Sequence, residues 1–327
     1  MESFKNSRIK NIILPVVGVA ALYMIVQFLI SSELLNPYYQ IILFLIGINI
    51  ILAVSLNLIN GITGQFSIGH AGFMSVGAYM GAVCTVKLGY PFVVAIIAAF
   101  LVAGIMGLFI GVPTLRLRGD YLAIATLGFG EIVRVVLLNI DYVGGAAGII
   151  GIPQLTNWAW LFGSVVITIV VIQNFIRSSH GRACIAIRED ELAAELMGVN
   201  TTLYKVLAFS IGAAFAGLAG ALYAHYFFLI QPTNFNFLKS FDILVMVVLG
   251  GMGSTSGCVL AAIFLTIISA LLQSFTEVRM ILYALVLIIV MIRRPQGLMG
   301  NKELSLNLLG KFRRRDKHAA VRDKVTE

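Results

Sequence analysis

The polar side chains that could do chemistry in this 327-residue chain are concentrated in two glycine-rich stretches. The first, GITGQFSIGHAGFMSVGAYMGA, covers 61–82, and the second, LGGMGSTSGC, covers 249–258. Neither stretch contains an acid, a lysine or an arginine, and their candidate residues offer amide, hydroxyl and imidazole groups: Gln65, Ser67, His70, Ser75, Ser254 and Ser256. Such groups can hydrogen-bond a polar solute without a fixed charge. For His70, a structural hydrogen bond to a facing carbonyl is an equal alternative.

Ionisable residues are few within the apolar parts of the sequence. Glu131 and Arg134 lie three positions apart, so they share one face of a helical turn and can pair. Pairing lowers the cost of burying both charges in a membrane. The spacing therefore predicts an intramembrane ion pair rather than a titratable residue that drives coupling.

The sequence carries no sign of a nucleotide, metal or disulfide site. No G-x-x-x-x-G-K-[ST] motif is present, so any ATP must be bound by another polypeptide. Cys84, Cys184 and Cys258 are scattered and form no C-x-x-C pair, which excludes a disulfide framework and a zinc motif. We expect no metal and no cofactor in this chain, and no enzymatic activity of its own.

The composition is that of a polytopic membrane protein. Hydrophobic residues make up 59% of the chain and charged residues only 12%, against about 25% charged in a soluble domain. Uncharged runs about as long as a bilayer is thick predict an all-α transmembrane bundle of about 8–10 spans with glycine-broken segments. One of these spans, which is rich in glycine, is predicted near 65–86.

The distribution of positive charge predicts the orientation. With the N-terminus in the cytoplasm, most of the 23 Lys and Arg residues fall in cytoplasmic segments, as the positive-inside rule requires. Both termini are then cytoplasmic. We divide the chain into a membrane domain, 1–300, and a basic cytoplasmic tail, 301–327, which either contacts anionic lipid or a partner or simply holds the orientation.

The largest internal cytoplasmic loop, about 177–203, contains AIREDELAAELMG, which predicts one short helix ending at Gly198. Its charged and apolar stripes suit docking onto a cytoplasmic partner, and a helix lying on the membrane surface is an equal alternative. The residues that we assign to this candidate coupling loop are Arg188, Glu189, Asp190, Glu191, Ala193, Ala194, Glu195 and Gly198.

Four stretches, in order, resemble a known family. They are the glycine-rich stretch from Leu56, LRLRGDYLAIATLGFGEIVR (115–134), REDELAAELMGVNTTLYKVLAFSIGAAFAGLAGALYA (188–224) and RRPQGLMG (293–300). Together they are similar to permeases of bacterial branched-chain amino acid ABC importers, and closer to the LivM-like than to the LivH-like subunit. Ala193, Ala194 and Gly198 match the loop pattern, whereas Leu192 stands where the family of ABC importers begins its loop motif with glutamate.

The resemblance implies a multi-subunit importer in the bacterial plasma (inner) membrane. A LivH-like sister permease, two cytoplasmic subunits that bind ATP and Mg, and an extracytoplasmic substrate-binding protein would accompany this chain. The expected cargo is leucine, isoleucine and valine.

Glycine-broken segments in both halves of a transporter point to its substrate path. We therefore expect the candidate residues of the two stretches to line the translocation pathway, while most of the glycines serve helix packing. Two alternatives remain open. Urea or short amides are substrates of similar permeases, and a self-contained secondary carrier would need an essential titratable residue in the membrane.

Overall fold

The computed structural model describes most of the membrane domain. The described residues are 2–32, 35–114, 117, 119–272, 284, 285, 288, 289, 292, 293 and 297–300. The basic tail and most of the last predicted span lie outside the described residues. The described residues divide into two units, one up to residue 37 and one from residue 38 onward.

In the first unit the described element is α1, Glu2–Ser31. The remaining helices are α2 Pro37–Asn57, α3 His70–Ala82, α4 Phe92–Thr114, α5 Asp120–Asn139, α6 Trp158–Arg177, α7 Ser179–Glu189, α8 Glu191–Leu196, α9 Thr201–Ala224, α10 Phe237–Gly250 and α11 Thr255–Leu271. Two π-helical turns, Leu58–Ile62 and Val83–Lys87, extend α2 and α3. Strand β1 (Ile149–Ile150) pairs antiparallel with β2 (Leu229–Ile230).

The chain is an all-α polytopic bundle. Among the described residues, six helical segments are long and apolar enough to cross a membrane: Pro37–Ile62, Phe92–Thr114, Asp120–Asn139, Trp158–Arg177, Thr201–Ala224 and Pro232–Gly250. Val17–Ser31 and Thr255–Leu271 are shorter apolar helices.

Small residues bring α3, α4 and α9 into close contact at the centre of the bundle. A Cβ on Gly77 of α3 would collide with the backbone of Gly217 on α9, and a Cβ on Gly107 of α4 would lie 2.7 Å from Cβ of Ala213. Such close approach replaces the hydrophobic driving force that helices lack in lipid with dense van der Waals contact. The glycines of these helices thus serve packing.

Two local predictions differ from the structure. The span expected near 65–86 begins as a helix only at His70, because residues 64–69 form no regular secondary structure. The single loop helix expected before Gly198 is two helices, α7 and α8, which meet at Asp190. Asp190 is extended and its Oδ1 accepts hydrogen bonds from Leu192 N (3.0 Å) and Ala193 N (3.1 Å), so it starts a new helix as an N-cap.

Candidate functional site

The first glycine-rich stretch interrupts the helical backbone after α2. The π-helical turn Leu58–Ile62 ends at Thr63, whose Oγ1 donates to Leu58 O (2.9 Å), and residues 64–69 then form no regular secondary structure. Gly64 has φ +72°, a left-handed conformation that glycine adopts at no steric cost. We call residues 58–69 the first break.

Asn60 satisfies the backbone of the first break. Its Nδ2 donates to Ser67 O and its Oδ1 accepts from Ser67 N, both at 3.2 Å, as a neighbouring β-strand would do. Ile68 N donates to Oγ1 of Thr126 on α5 (3.0 Å). Irregular backbone at membrane depth requires this kind of internal satisfaction.

The pathway candidates of the first stretch are all buried in this chain. Gln65 is 4% exposed, and His70 is fully buried with its Nε2 2.8 Å from Ser55 Oγ. Ser75 Oγ donates to Gly72 O (2.7 Å) within its own helix. Burial alternates here, because Phe66 is 37% exposed whereas Gln65 and Ser67 on either side of it are buried.

Several of these buried polar atoms have no hydrogen-bond partner in the structure. They are both amide atoms of Gln65, Oγ of Ser67 and Nδ1 of His70. Native interiors rarely leave such groups unsatisfied, so each calls for a water, a ligand or another conformation. The inner face of the first break therefore retains unused hydrogen-bonding capacity.

The second glycine-rich stretch forms the turn between α10 and α11. Gly251 and Gly253 have φ of +104° and +96°. Ser254 Oγ accepts from Gly257 N (3.1 Å) and caps α11, and Ser256 Oγ lies 3.3 Å from it. We call residues 251–254 the second break.

The fold brings the two breaks into contact, although they are almost 200 residues apart in sequence. Gly253 N donates to Oδ1 of Asn57 (2.8 Å), and a Cβ on Gly61 would collide with Gly253 N. The segment 297–300 also joins here, because Leu298 N donates to Leu249 O (2.7 Å). This segment belongs to the RRPQGLMG motif of the family resemblance, for which the sequence predicted no role.

The candidate coupling loop presents an apolar surface. Leu192, Leu196 and Met197 are 62%, 88% and 84% exposed, whereas Ala194 is buried. Ala193 and Glu195 are exposed on the same short helix, and Gly198, with φ +84°, ends it. Glu191 Oε1 lies 2.6 Å from Lys205 Nζ on α9, so one charged residue of the loop is held in an intramolecular ion pair.

Arg188 points away from the exposed surface of the loop and reaches the first break. Its Nη1 donates to Gly61 O (2.9 Å), while Nε and Nη2 donate to Oε1 of Glu189 at 3.1 and 2.5 Å. Sequence reasoning did not anticipate this contact, nor the parts played by Asn57 and Asn60. The SLNLIN run before the first glycine-rich stretch was the available signal, since two asparagines at a helix end suit backbone capping.

Glu131 and Arg134 are paired, with Glu131 Oε2 and Arg134 Nε 2.7 Å apart and both side chains about a quarter exposed. Glu131 Oε1 also accepts from Phe237 N (3.1 Å), the first residue of α10. The carboxylate thus caps α10 at its positive end and balances the guanidinium. This pair lies away from the contact between the breaks.

An all-α membrane bundle with two glycine-broken segments in contact has the architecture of a transporter. A model of the family described as "branched-chain amino acid transport system / permease component" matches residues 38–291. The chain belongs to that family.

Curated relatives carry the same description. The chain is 38% identical over 296 residues to the high-affinity branched-chain amino acid transport system permease protein LivM of Salmonella typhimurium, covering 80% of this chain and 70% of the relative. LivM of Escherichia coli K12 gives the same values. LivH of Escherichia coli K12 is 28% identical over 78% of this chain and 92% of its own length. No solved structure is significantly similar to the chain.

Proposed function

We propose that this chain is one of two membrane-spanning permease subunits of an ATP-driven importer that carries leucine, isoleucine and valine inward across the bacterial plasma membrane. The observation that carries the proposal is the family match over 38–291, supported by 38% identity to LivM proteins. The chain is similar to LivM and, more distantly, to LivH, which fits a pair of related permeases.

The contact between the two breaks supports a translocation role. The bond from Gly253 N to Asn57 Oδ1 joins the second break to the end of α2, next to the first break. Irregular backbone at membrane depth is tolerated where protein or a water-filled cavity covers it. Gln65, Ser67, His70, Ser75, Ser254 and Ser256 are the groups proposed to receive the amino acid during passage. Uncharged donors and acceptors suit a zwitterion that must bind weakly and leave.

Energy coupling is assigned to the loop that contains α7 and α8. The charge distribution supports a cytoplasmic position for both this loop and the termini. Two ATP-binding subunits would supply ATP and Mg, and an extracytoplasmic binding protein would deliver the substrate. The exposed apolar side chains of α8 have the character of a helix that docks in a groove.

Leu196→Asp tests the docking of α8. Leu196 is 88% exposed in the chain alone, so the change leaves the fold intact but places a charge in the proposed interface. We expect the variant, tagged at its C-terminus and purified from native membranes in mild detergent, to lose the ATP-binding subunits. Leu155→Asp is the control, because Leu155 is 41% exposed in the loop before α6, at the opposite end of that helix.

The same purification tests the composition of the importer. We expect the unaltered chain to bring down a second permease and two ATP-binding chains. If the chain purified alone and moved solute in liposomes without ATP, a secondary carrier would replace the importer. If Leu196→Asp retained the ATP-binding subunits, α8 would not be the docking helix.

A further inference from the structure

Arg188 is the residue through which the candidate coupling loop contacts the irregular backbone of the membrane domain. Its Nη1 donates to Gly61 O in the first break at 2.9 Å. A Cβ added to Gly253 of the second break would lie 3.0 Å from the same nitrogen, and a Cβ on Gly64 would lie 2.9 Å from Arg188 Cγ. One side chain thus touches both breaks.

The branched shape of the Arg188 guanidinium lets it bind two acceptors at once. Nε and Nη2 are directed at one carboxylate oxygen of Glu189, which leaves Nη1 for the carbonyl of Gly61. The planar guanidinium offers five N–H donors in fixed directions, whereas a lysine ammonium is a compact point charge. Glu189 therefore orients Arg188, and lysine cannot reproduce the full arrangement.

A separate bond joins the second break to the last residue of α2, directly before the first break. Asn57 Oδ1 accepts from Gly253 N at 2.8 Å, so Asn57, Gly61, Gly253 and Arg188 form one contiguous network. The glycines are required here, since a side chain on Gly61 would collide with both Asn57 Oδ1 and Gly253 N. The network holds the two breaks against each other.

A displacement of α8 would reach this network through a short connection. Asp190 alone separates the end of α7 from the start of α8, and its side chain caps α8. Arg188 lies in the last turn of α7, only three residues before the start of α8 at Glu191. A partner that moves α8 therefore moves the guanidinium relative to Gly61 and Gly253.

We infer that Arg188 is the positioning residue that holds the two breaks together at the α8 end of the pathway, and that withdrawal of its guanidinium when α8 moves lets the breaks separate. This inference rests on the proposed function, because it takes α8 to be the element that the ATP-binding subunits move. It assigns to Arg188 an intramolecular task, distinct from contact with the ATPase.

The test measures the separation of the breaks directly. Phe66 and Met252 are 37% and 48% exposed, so spin labels on Phe66→Cys and Met252→Cys report the distance between the first and second breaks. The three native cysteines, all buried, are replaced by alanine. The distance is measured in the purified importer without nucleotide, and leucine uptake is measured in proteoliposomes.

The variants are Arg188→Gln and Arg188→Lys, with Arg182→Gln as the matched control. Arg182 is an exposed arginine on the same helix. We expect Arg188→Gln to replace a narrow distance distribution by a broad one reaching longer distances, and to lower uptake about tenfold, within the usual range of coupling between sites. For Arg188→Lys we expect a distance distribution and an uptake rate between those of Arg188→Gln and the unaltered chain. For Arg182→Gln we expect both quantities to match those of the unaltered chain.

Retention of either the resting distance or the uptake rate in Arg188→Gln would overturn the inference. If Arg188→Gln did not assemble into the importer, Arg188→Lys would serve as the test. The inference would be overturned if Arg188→Lys had the same label distance and the same uptake rate as the unaltered chain. If the unaltered importer showed no ATP-dependent uptake, the proposed function would fail. The resting distance would still report on Arg188 because it needs no ATP.

Discussion

Asn60 does for Ser67 what a neighbouring strand does in a β-sheet. Its amide satisfies both backbone groups of a residue that is 1% exposed and lies in irregular backbone between two helices. In the hydrocarbon interior of a membrane, no water is present to make these hydrogen bonds. The side chain of Asn60 therefore stabilises the irregular backbone of the first break within the bundle.

We expect Asn60→Ala to destabilise the chain. Removing the amide leaves Ser67 N and Ser67 O buried without partners, at about 1–3 kcal/mol for each group. Thermal unfolding of the purified protein in detergent, followed by fluorescence, should show a lower midpoint. Asn234→Ala, at an exposed position, is the control and should unfold with the unaltered chain. Equal midpoints for all three proteins would contradict the role given to Asn60.

Cys184 lies on α7 and is fully buried. Burial raises the pKa of its thiol to about 11, so only about one molecule in a thousand carries the thiolate at pH 8. Since the thiolate is the reactive form, alkylation should be slow near pH 8 and should quicken about tenfold for each unit of pH up to about 11.

Mass spectrometry after maleimide labelling measures this rate at Cys184. An engineered thiol at Phe66→Cys, which is exposed, serves as the fast reference in the same sample. Labelling of Cys184 as fast as the reference at pH 8 would show that α7 opens readily and would contradict the packing described here.

At the scale of elements, the close contact of α3, α4 and α9 fixes the position of α3, the helix that begins directly after the first break. Gly77 on α3 lies against the backbone of Gly217 on α9, and Gly217 in turn lies against Ala103 of α4. No larger residue fits at these positions without moving a helix. The close contact of these three helices positions His70, the first residue of α3, beside Ser55 of α2.

We expect Gly77→Ala to lower the stability of the chain by about 1–3 kcal/mol, because overpacking a close helix contact forces the backbones apart. Gly163→Ala on α6 is the matched control. A Cβ there meets nothing within 4 Å, and alanine favours a helix over glycine by about 0.5–1 kcal/mol. Thermal unfolding of both variants measures the difference, and equal stability would mean that α3 and α9 are not in close contact.

At the scale of the whole molecule, apolar run length was sufficient to predict an all-α polytopic bundle, and the glycine-rich stretches predicted where it is broken. They did not predict the direction in which the first break faces. Gln65 and Ser67 are buried and Phe66 between them is exposed, but the sequence alone does not indicate which of these side chains face inward. The backbone of Ser67 is held by hydrogen bonds with Asn60, a contact that depends on the fold.

The long-range contacts also could not be predicted from the sequence. Nothing in the spacing of Arg188, Gly61 and Gly253 indicates that they meet, because the contact requires the loop after α6 to return to the end of α2. The helix boundary at Asp190 was missed for a different reason. Its neighbours are good helix formers, and the capping preference of aspartate overrides them.

We propose that this chain moves branched-chain amino acids only when ATP-binding partners drive it. Uptake of labelled leucine into proteoliposomes that contain the purified complex tests it most directly. We predict uptake that requires both ATP and the binding protein and that isoleucine and valine, but not urea, compete away. Uptake by the chain alone without ATP, or transport of urea with no transport of leucine, would contradict the account.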